Sequence, residues 1–369
     1  MKNIKFCKPT KYSLLLFPML AISFASFANQ HQHHQMADSD GNVFITPSKT
    51  PISIMGSHLH HKGGWMASYR FMTMEMEGLQ TGTTGISSAK ALEQYSMVPK
   101  DMSMNMHMLD LMYAPSDDIT LMLMANFVDQ EMTSTMKNMP MTMPSTMAMD
   151  TMASMNMSHD MSMDSSGLAD VSFSALINGF NGDAYRSHFT LGVRLPLGDI
   201  DQTRIDMSGE DVLMGYPMQI GSETTNLLAG YTLIVDQQYL QFGSQFNYEM
   251  ALENNDANYK PGDKVQWHNW TSYGVTESLS VSVRLSYVHK ENYSGHDQRL
   301  NPMMMPSADP KQRGVAQFEW GVGASYGFTS GLLKNQQVSL EFSQPIEQDF
   351  DGMQLNTDWQ AVLGWQISL

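Results

Sequence analysis

From Asp101 to Val128 the chain alternates residue by residue, and the pattern predicts two strands joined by a tight turn at Pro115 to Asp118. Successive strand residues face opposite sides of a sheet. Met102, Met104, Met106, Met108, Asp110 and Met112 therefore share one face, and Leu109, Leu111 and Tyr113 share the other. After the turn, Ile119, Leu121, Leu123, Ala125 and Phe127 oppose Thr120, Met122, Met124, Asn126 and Val128. One face is aliphatic and aromatic. The opposite face mixes methionine with polar groups.

The same grammar recurs along the chain. In the stretch from Gly64 to Glu77, Trp65, Ala67, Tyr69 and Phe71 oppose Met66, Ser68, Arg70, Met72, Met74 and Met76. Further strands are expected at about 168–178, 185–197, 226–235, 239–250, 264–275, 279–288, 315–326, 338–343 and 358–369, twelve in all with the opening three. Most are roughly 9–12 residues long, the length a tilted membrane strand needs. Their connections alternate short and long, as periplasmic turns and external loops do. Aromatic residues sit near strand ends, where a membrane interface places them. The fold class implied is all-β: a transmembrane antiparallel up-and-down β-barrel of about twelve strands, porin-like, with both termini on the periplasmic side. The last strand runs to Leu369, apolar at every second position. A soluble β-sandwich is the competing fold, and strands this long and this regularly apolar on one face argue against it.

Before the barrel, Lys2, Lys5, Lys8 and Lys11 precede an apolar run from Leu14 to Phe27 that ends in Ala-Ser-Phe-Ala. This is the pattern of a secretory leader cleaved after Ala28. Residues 29–63 then read as a His-rich periplasmic tail, and 64–369 as the barrel, with a Met-rich external loop at 130–166. Losing the four lysines with the leader takes the formal charge from −16 to −20, which disfavours nucleic acid and favours cations. The only cysteine, Cys7, leaves too, so disulfides and thiolate metal sites are excluded. The expected location is the outer membrane of a Gram-negative cell, and the expected partners are its lipid and a small solute.

Composition adds one candidate chemistry. The chain has 36 methionines, twenty of them between Met97 and Met163. Thioether sulfur is a soft, neutral ligand suited to Cu(I), and by the same logic to Ag(I). Met-x-Met on a strand places both sulfurs on one face, about 6–7 Å apart along the strand. The candidate ligands are Met72, Met74, Met76, Met102, Met104, Met106, Met108, Met112, Met122 and Met124 on the strands, and Met139, Met141, Met143, Met155 and Met157 in the loop. His58, His60 and His61 are candidates for Cu(II) or Zn(II), with Asp110, His107 and His188 as harder ligands at the lumen or its mouth. Adaptable apolar lining and oxidant scavenging are the plainer readings of the methionines. Lumen-facing Arg70, Arg186, Arg194 and Arg284 are expected to pair with Asp170, Glu249, Glu319 and Glu341. No motif for a hydrolase, zinc peptidase or phosphate loop occurs; a Ser-His site on the wall at His188 or His268 has only composition behind it, and no enzyme activity is expected.

The stretches MGSHLHHKGGWMASYRFMTMEMEG (55–78), MSMNMHMLDLMYAPSDDITLMLMANFV (102–128) and SSGLADVSFSAL (165–176) resemble the outer-membrane transporters grouped with the "MetA-pathway of phenol degradation" proteins. The resemblance is specific over about 51–200; beyond it only the barrel pattern continues. It departs at the Met-rich stretch and at Ala169, where glycine is expected. It implies an outer-membrane channel tied to aromatic compounds and carries no catalytic residues or required cofactor. Three functions follow as expectations: a small-solute channel that binds or passes Cu(I) or Ag(I) with a periplasmic metal-binding partner, an uptake channel for apolar or aromatic compounds, and a metal- or oxidant-buffering barrel without transport.

Overall fold

The computed structural model describes residues 48–137, 159–206 and 209–368, with the backbone of two short paired strands at Gln35–Ala37 and Val43–Ile45. No described helix is long and apolar enough to cross a membrane; the crossings are strands. They are β1 (Trp65–Gly82), β2 (Met97–Ser116), β3 (Ile119–Met136), β4 (His159–Leu168 and Val171–Asn178), β5 (Tyr185–Leu195), β6 (Asn226–Gln237), β7 (Leu240–Ala251), β8 (Lys264–Gly274), β9 (Leu279–Lys290) and β10 (Val315–Phe328). One last continuous segment, Gln336–Ser368, completes the circuit. The sheet closes because this segment pairs with β10 on one side and with β1 on the other.

Eleven hydrogen-bonded segments make the ring, with Thr84–Ile86 and His159–Leu168 as two additions to it. Yet every neighbouring pair is antiparallel, and a ring of straight antiparallel strands needs an even number. Gln336–Ser368 resolves this by doubling back. Residues 336–350 pair with β10 and residues from 350 onward pair with β1. Between the two halves Ser368 N donates to Asn335 O at 3.0 Å, Trp365 Nε1 to Gln336 Oε1 at 3.0 Å, and Thr357 N to Gln348 Oε1 at 3.1 Å. The reversal falls at Asp351–Gly352, where Gly352 takes a φ of 91° that disfavours other residues. We call the halves β11 (336–350) and β12 (353–368). Twelve passes result, as the alternation predicts, though the loop expected from Pro345 to Asn356 is a strand pair with a tight turn.

The outer face carries the aromatic and aliphatic positions, among them Trp65, Leu109, Phe127, Phe173, Phe246 and Leu363, all exposed. The inner face carries Ser, Thr, Gln, charged residues and methionine. This is the split a membrane barrel requires, with lipid-facing and lumen-facing residues alternating along each strand.

Two expectations are corrected. The loop at 130–166 is strand at both ends: β3 runs out to Met136, and the chain returns at His159 in register with it. Beyond the membrane both faces of a strand meet water or loops, so the apolar alternation that marks a strand disappears. The returning strand also contains a one-residue break. Phe127 pairs with Leu168, but Met124 pairs with Ser172. Across the break the inward residues change from odd (Met163, Ser165) to even (Ser172, Ser174). Bulges of this kind re-aim a side chain, and the one re-aimed here is Asp170.

The second correction narrows the expectation for the tail, read as periplasmic and as part of what fills the narrow bore. From residue 48 onward it lies inside the barrel, at the end with the short turns. Thr50, Ile52, Ile54 and Ser57 are buried. We call residues 48–63 the plug.

Candidate functional site

The plug is held from around the circumference. Gln337 Nε2 on β11 donates to Ser48 O at 3.1 Å, and Ser53 Oγ donates to Glu341 at 2.8 Å. From β7, Gln245 Nε2 donates to Met55 O at 2.9 Å, while Gln241 accepts from Thr50 Oγ1 at 3.0 Å. His188 Nε2 on β5 donates to Gly56 O at 2.8 Å, and His60 N donates to Thr120 Oγ1 on β3 at 2.9 Å. Ile54 packs on Ile234 and Trp270. Trp270 lies flat across Gly243, where any Cβ would meet its ring at 2.0 Å. The cavity left between the plug and the wall at Met66, Arg70 and Met112 is about 10 Å³, room for one water at most. The plug occupies this end of the bore.

Above the plug the lumen has two different walls. On β5 to β10 one register row reads His188, Thr232, Gln245, His268, Ser286, Glu319. Several charges facing the lumen are paired. Arg284 donates from Nη2 to Glu319 at 2.7 Å and from Nε to Glu341 at 2.6 Å. Arg194 meets Glu249 at 3.2 Å, and Arg186 meets Asp236. Arg70 pairs with Asp110, which also accepts from Ser68 Oγ at 2.6 Å. The pairing network expected from the sequence is present with different partners: Asp110 and Asp236 replace Asp170.

Asp170 clamps a loop. Its carboxylate accepts from Gly198 N at 3.0 Å, from Ser222 N at 3.1 Å and from Ser222 Oγ at 2.6 Å. The strand break described above aims it there. The loop between β5 and β6 is thus gathered over the far mouth, and its short turn Tyr216–Met218 is tied down by Gln130 Nε2 to Pro217 O at 3.1 Å and Ser165 Oγ to Met218 O at 2.8 Å.

The opposite wall, on β1 to β4, is methionine. Its register rows read Met66–Met112–Met122, then Ser68–Asp110–Met124, Arg70–Met108–Asn126, Met72–Met106–Val128, Met74–Met104–Gln130 and Met76–Met102–Met132–Met163. The first row packs with Leu176 and Leu59 beside the plug. The last row, with Met97, forms a buried cluster with Met214, Tyr216, Met218, Tyr259, Leu300 and Met305 from the loops. Tyr216, Tyr259 and Tyr293 meet ring to ring at 4.9, 5.2 and 5.9 Å. Burial pushes the Tyr216 and Tyr259 hydroxyls up from their usual range, so both stay neutral. Asp297, also buried, donates its backbone N–H to Tyr216 Oη at 3.1 Å beside this cluster.

The sequence candidates therefore divide. All ten strand methionines face the lumen as expected. Met139, Met141, Met143, Met155 and Met157 lie outside the described residues. His58 and His60 meet edge to face at 4.8 Å, but His61 turns away to Asp117 at 3.6 Å, near the turn-end surface. The three histidines do not converge, and among the described residues no group of three or more His, Asp or Glu is arranged to hold a metal. His107 is on the outer face against Tyr69 and Phe71, not at the lumen. His188 and Asp110 are occupied by the plug and by Arg70. The plug contacts, the Asp170 clamp and the loop tyrosines were not legible; none carries a periodic pattern.

The sequence profile of the family described as "Putative MetA-pathway of phenol degradation" matches residues 139–349, more than half of the chain. The chain belongs to this family. The match lies further toward the C-terminus than the stretch 51–200 that carries the visible resemblance. No curated protein sequence matches it. Among solved structures, this member of the MetA-pathway family is similar to the COG4313 outer membrane channel from Pseudomonas putida F1, at 11% identity and a TM-score of 0.55, over 86% of this chain and 99% of that one. It is more distantly similar to the KdgM porin, at 8% identity and a TM-score of 0.39, over 82% and 99%. The P. putida toluene transporter TodX stands at 9% identity and 0.38, over 84% and 91%. The first of these shares the fold, an outer-membrane barrel.

Proposed function

We propose that the protein is an outer-membrane channel for small apolar or aromatic molecules. The observation that carries this reading is the apolar cluster that the methionine wall forms with the loops at the far mouth. Its buried core is seven methionines, two tyrosines and three aliphatic residues. Methionine is unbranched and polarisable and makes favourable contacts with aromatic rings, so such a cluster can re-pack around varied apolar shapes. A solute captured there has a continuous soft wall to follow, from Met76 and Met102 to Met72 and Met106, before it reaches the Arg70–Asp110 pair and the plug. Delivery onward needs the plug to shift. No catalytic group takes part, and the only partners the reading needs are outer-membrane lipid and the solute. The leader at 1–28 would bring the chain to that membrane. The family's description links its members to phenol degradation, which suits this solute class.

The test is uptake into liposomes. Met104→Lys places a charge against the apolar cluster. Toluene or phenol flux through the reconstituted barrel should fall about tenfold, in line with a cost of a kcal/mol or more for a poorly compensated polar group. Flux of a small polar solute such as glycine should fall less. Equal loss of both, or no loss of either, would overturn the reading.

A further inference from the structure

One row of the methionine wall differs from the rest. Met76 on β1 is in register with Met102 on β2, Met102 with Met132 on β3, and Met132 with Met163 on β4. Four thioethers thus stand side by side on four adjacent strands, on the lumen face. Directly opposed residues on one face of a sheet have their Cβ atoms about 4.5–5.5 Å apart, and the methionine side chain has three rotatable bonds with which to turn its sulfur toward a neighbour. Met102, Met132 and Met163 are 3%, 3% and 5% exposed, while Met76 is only partly buried. The row therefore has a dry interior and one accessible edge. Met74 and Met104 form the next row inward, and Met97 and Met136 pair on the outer side.

Packing alone does not ask for this. A core row on a sheet is filled more rigidly by branched aliphatics, and the lipid face of these same strands uses Leu, Ile and Phe. A run of four soft donors, free of carboxylate and imidazole, is what a soft monovalent cation needs. We infer that Met76, Met102, Met132 and Met163 form a binding site for Cu(I) or Ag(I). The site lies in the apolar cluster of the proposed solute path but does not depend on that path. The thioethers take up no proton across the physiological range, so the affinity should be the same at pH 5 and pH 7.

The experiment is titration of the purified barrel with Ag(I), and with Cu(I) under reductant against a competing chelator, followed by X-ray absorption at the metal edge. The double variant Met102→Leu/Met132→Leu keeps volume and apolarity, so it folds. A sulfur-only shell in the native barrel, with affinity lowered on the order of 10- to 100-fold in the double variant, supports the site. A second variant, Met72→Leu/Met106→Leu, should retain the ion. Binding untouched by Met102→Leu/Met132→Leu but lost when Met139, Met141, Met143, Met155 and Met157 become Leu would overturn the inference, as would no binding at all. Loss of toluene uptake together with retained ion binding would count against the proposed channel and leave the metal site standing.

Discussion

The two walls of the lumen are built on identical strand geometry and opposite chemistry. The row His188–Thr232–Gln245–His268–Ser286–Glu319 and the row Met76–Met102–Met132–Met163 each cross several adjacent strands on the lumen face. On the first wall most groups are donors or acceptors, and many have partners on neighbouring strands or the plug. On the second wall methionine predominates, with the Arg70–Asp110 pair set among it. The polar wall therefore holds the plug, and the methionine wall is the one that can yield to a guest.

That contrast predicts unequal sensitivity to substitution. The largest effect is expected at Glu341, which is 2% exposed, bonded to Arg284 and also accepting from Ser53 of the plug. Glu341→Leu leaves a buried guanidinium with half its pairing and should cost about 3–5 kcal/mol, measured as urea unfolding of the barrel in detergent. Adding Arg284→Met should recover much of it, since a buried pair replaced by apolar residues is often neutral. Failure to recover would mean that the network is needed for more than charge balance.

Next comes the plug itself. Ile54→Ala vacates the seat between Ile234 and Trp270 and should weaken docking by about 2–5 kcal/mol, the usual cost of such a truncation. Single-channel recording should show a higher open fraction and unchanged barrel stability.

Acid should act in the same direction. Removal from water holds His60 down at about 4, helped by neighbouring His61, and holds His58 well below its ordinary value, helped by His60 and the nearby Arg186. Above about pH 6.5 both imidazoles are neutral whether the plug is seated or not. As pH falls from about 6.5 toward 4, a displaced plug takes up protons that a seated one refuses, so seating weakens through that window. Conductance should rise over the same range, and His60→Asn should flatten the profile.

The smallest effect belongs to the methionine wall. Met112→Leu, beside Met66 and Met122, should cost less than about 1.5 kcal/mol despite complete burial. A loss comparable to that of Glu341→Leu would erase the distinction between the walls.

How far each wall was legible follows from the same physics. Lipid on one side and lumen on the other impose a two-residue period, so the twelve passes and the inward face of each could be read directly. Partners across the lumen leave no such trace. Arg70 meets Asp110, forty residues along the chain and one strand away, and nothing in the alternation singles it out over Asp170. The plug has only Ile52 and Ile54 as apolar anchors amid Ser, Thr, Pro and His, a composition that also describes a solvated tail. Its order comes from the wall around it.

The seam between β12 and β1 has a consequence for assembly. It joins Ser368 to Met66, so the sheet becomes a cylinder only when the first and last strands of the barrel meet. Contacts so distant along the chain are the slowest to form. The plug directly precedes β1 and must thread no gap if it is already lodged against β3, β5 and β7 when the seam zips. Closure then imprisons it.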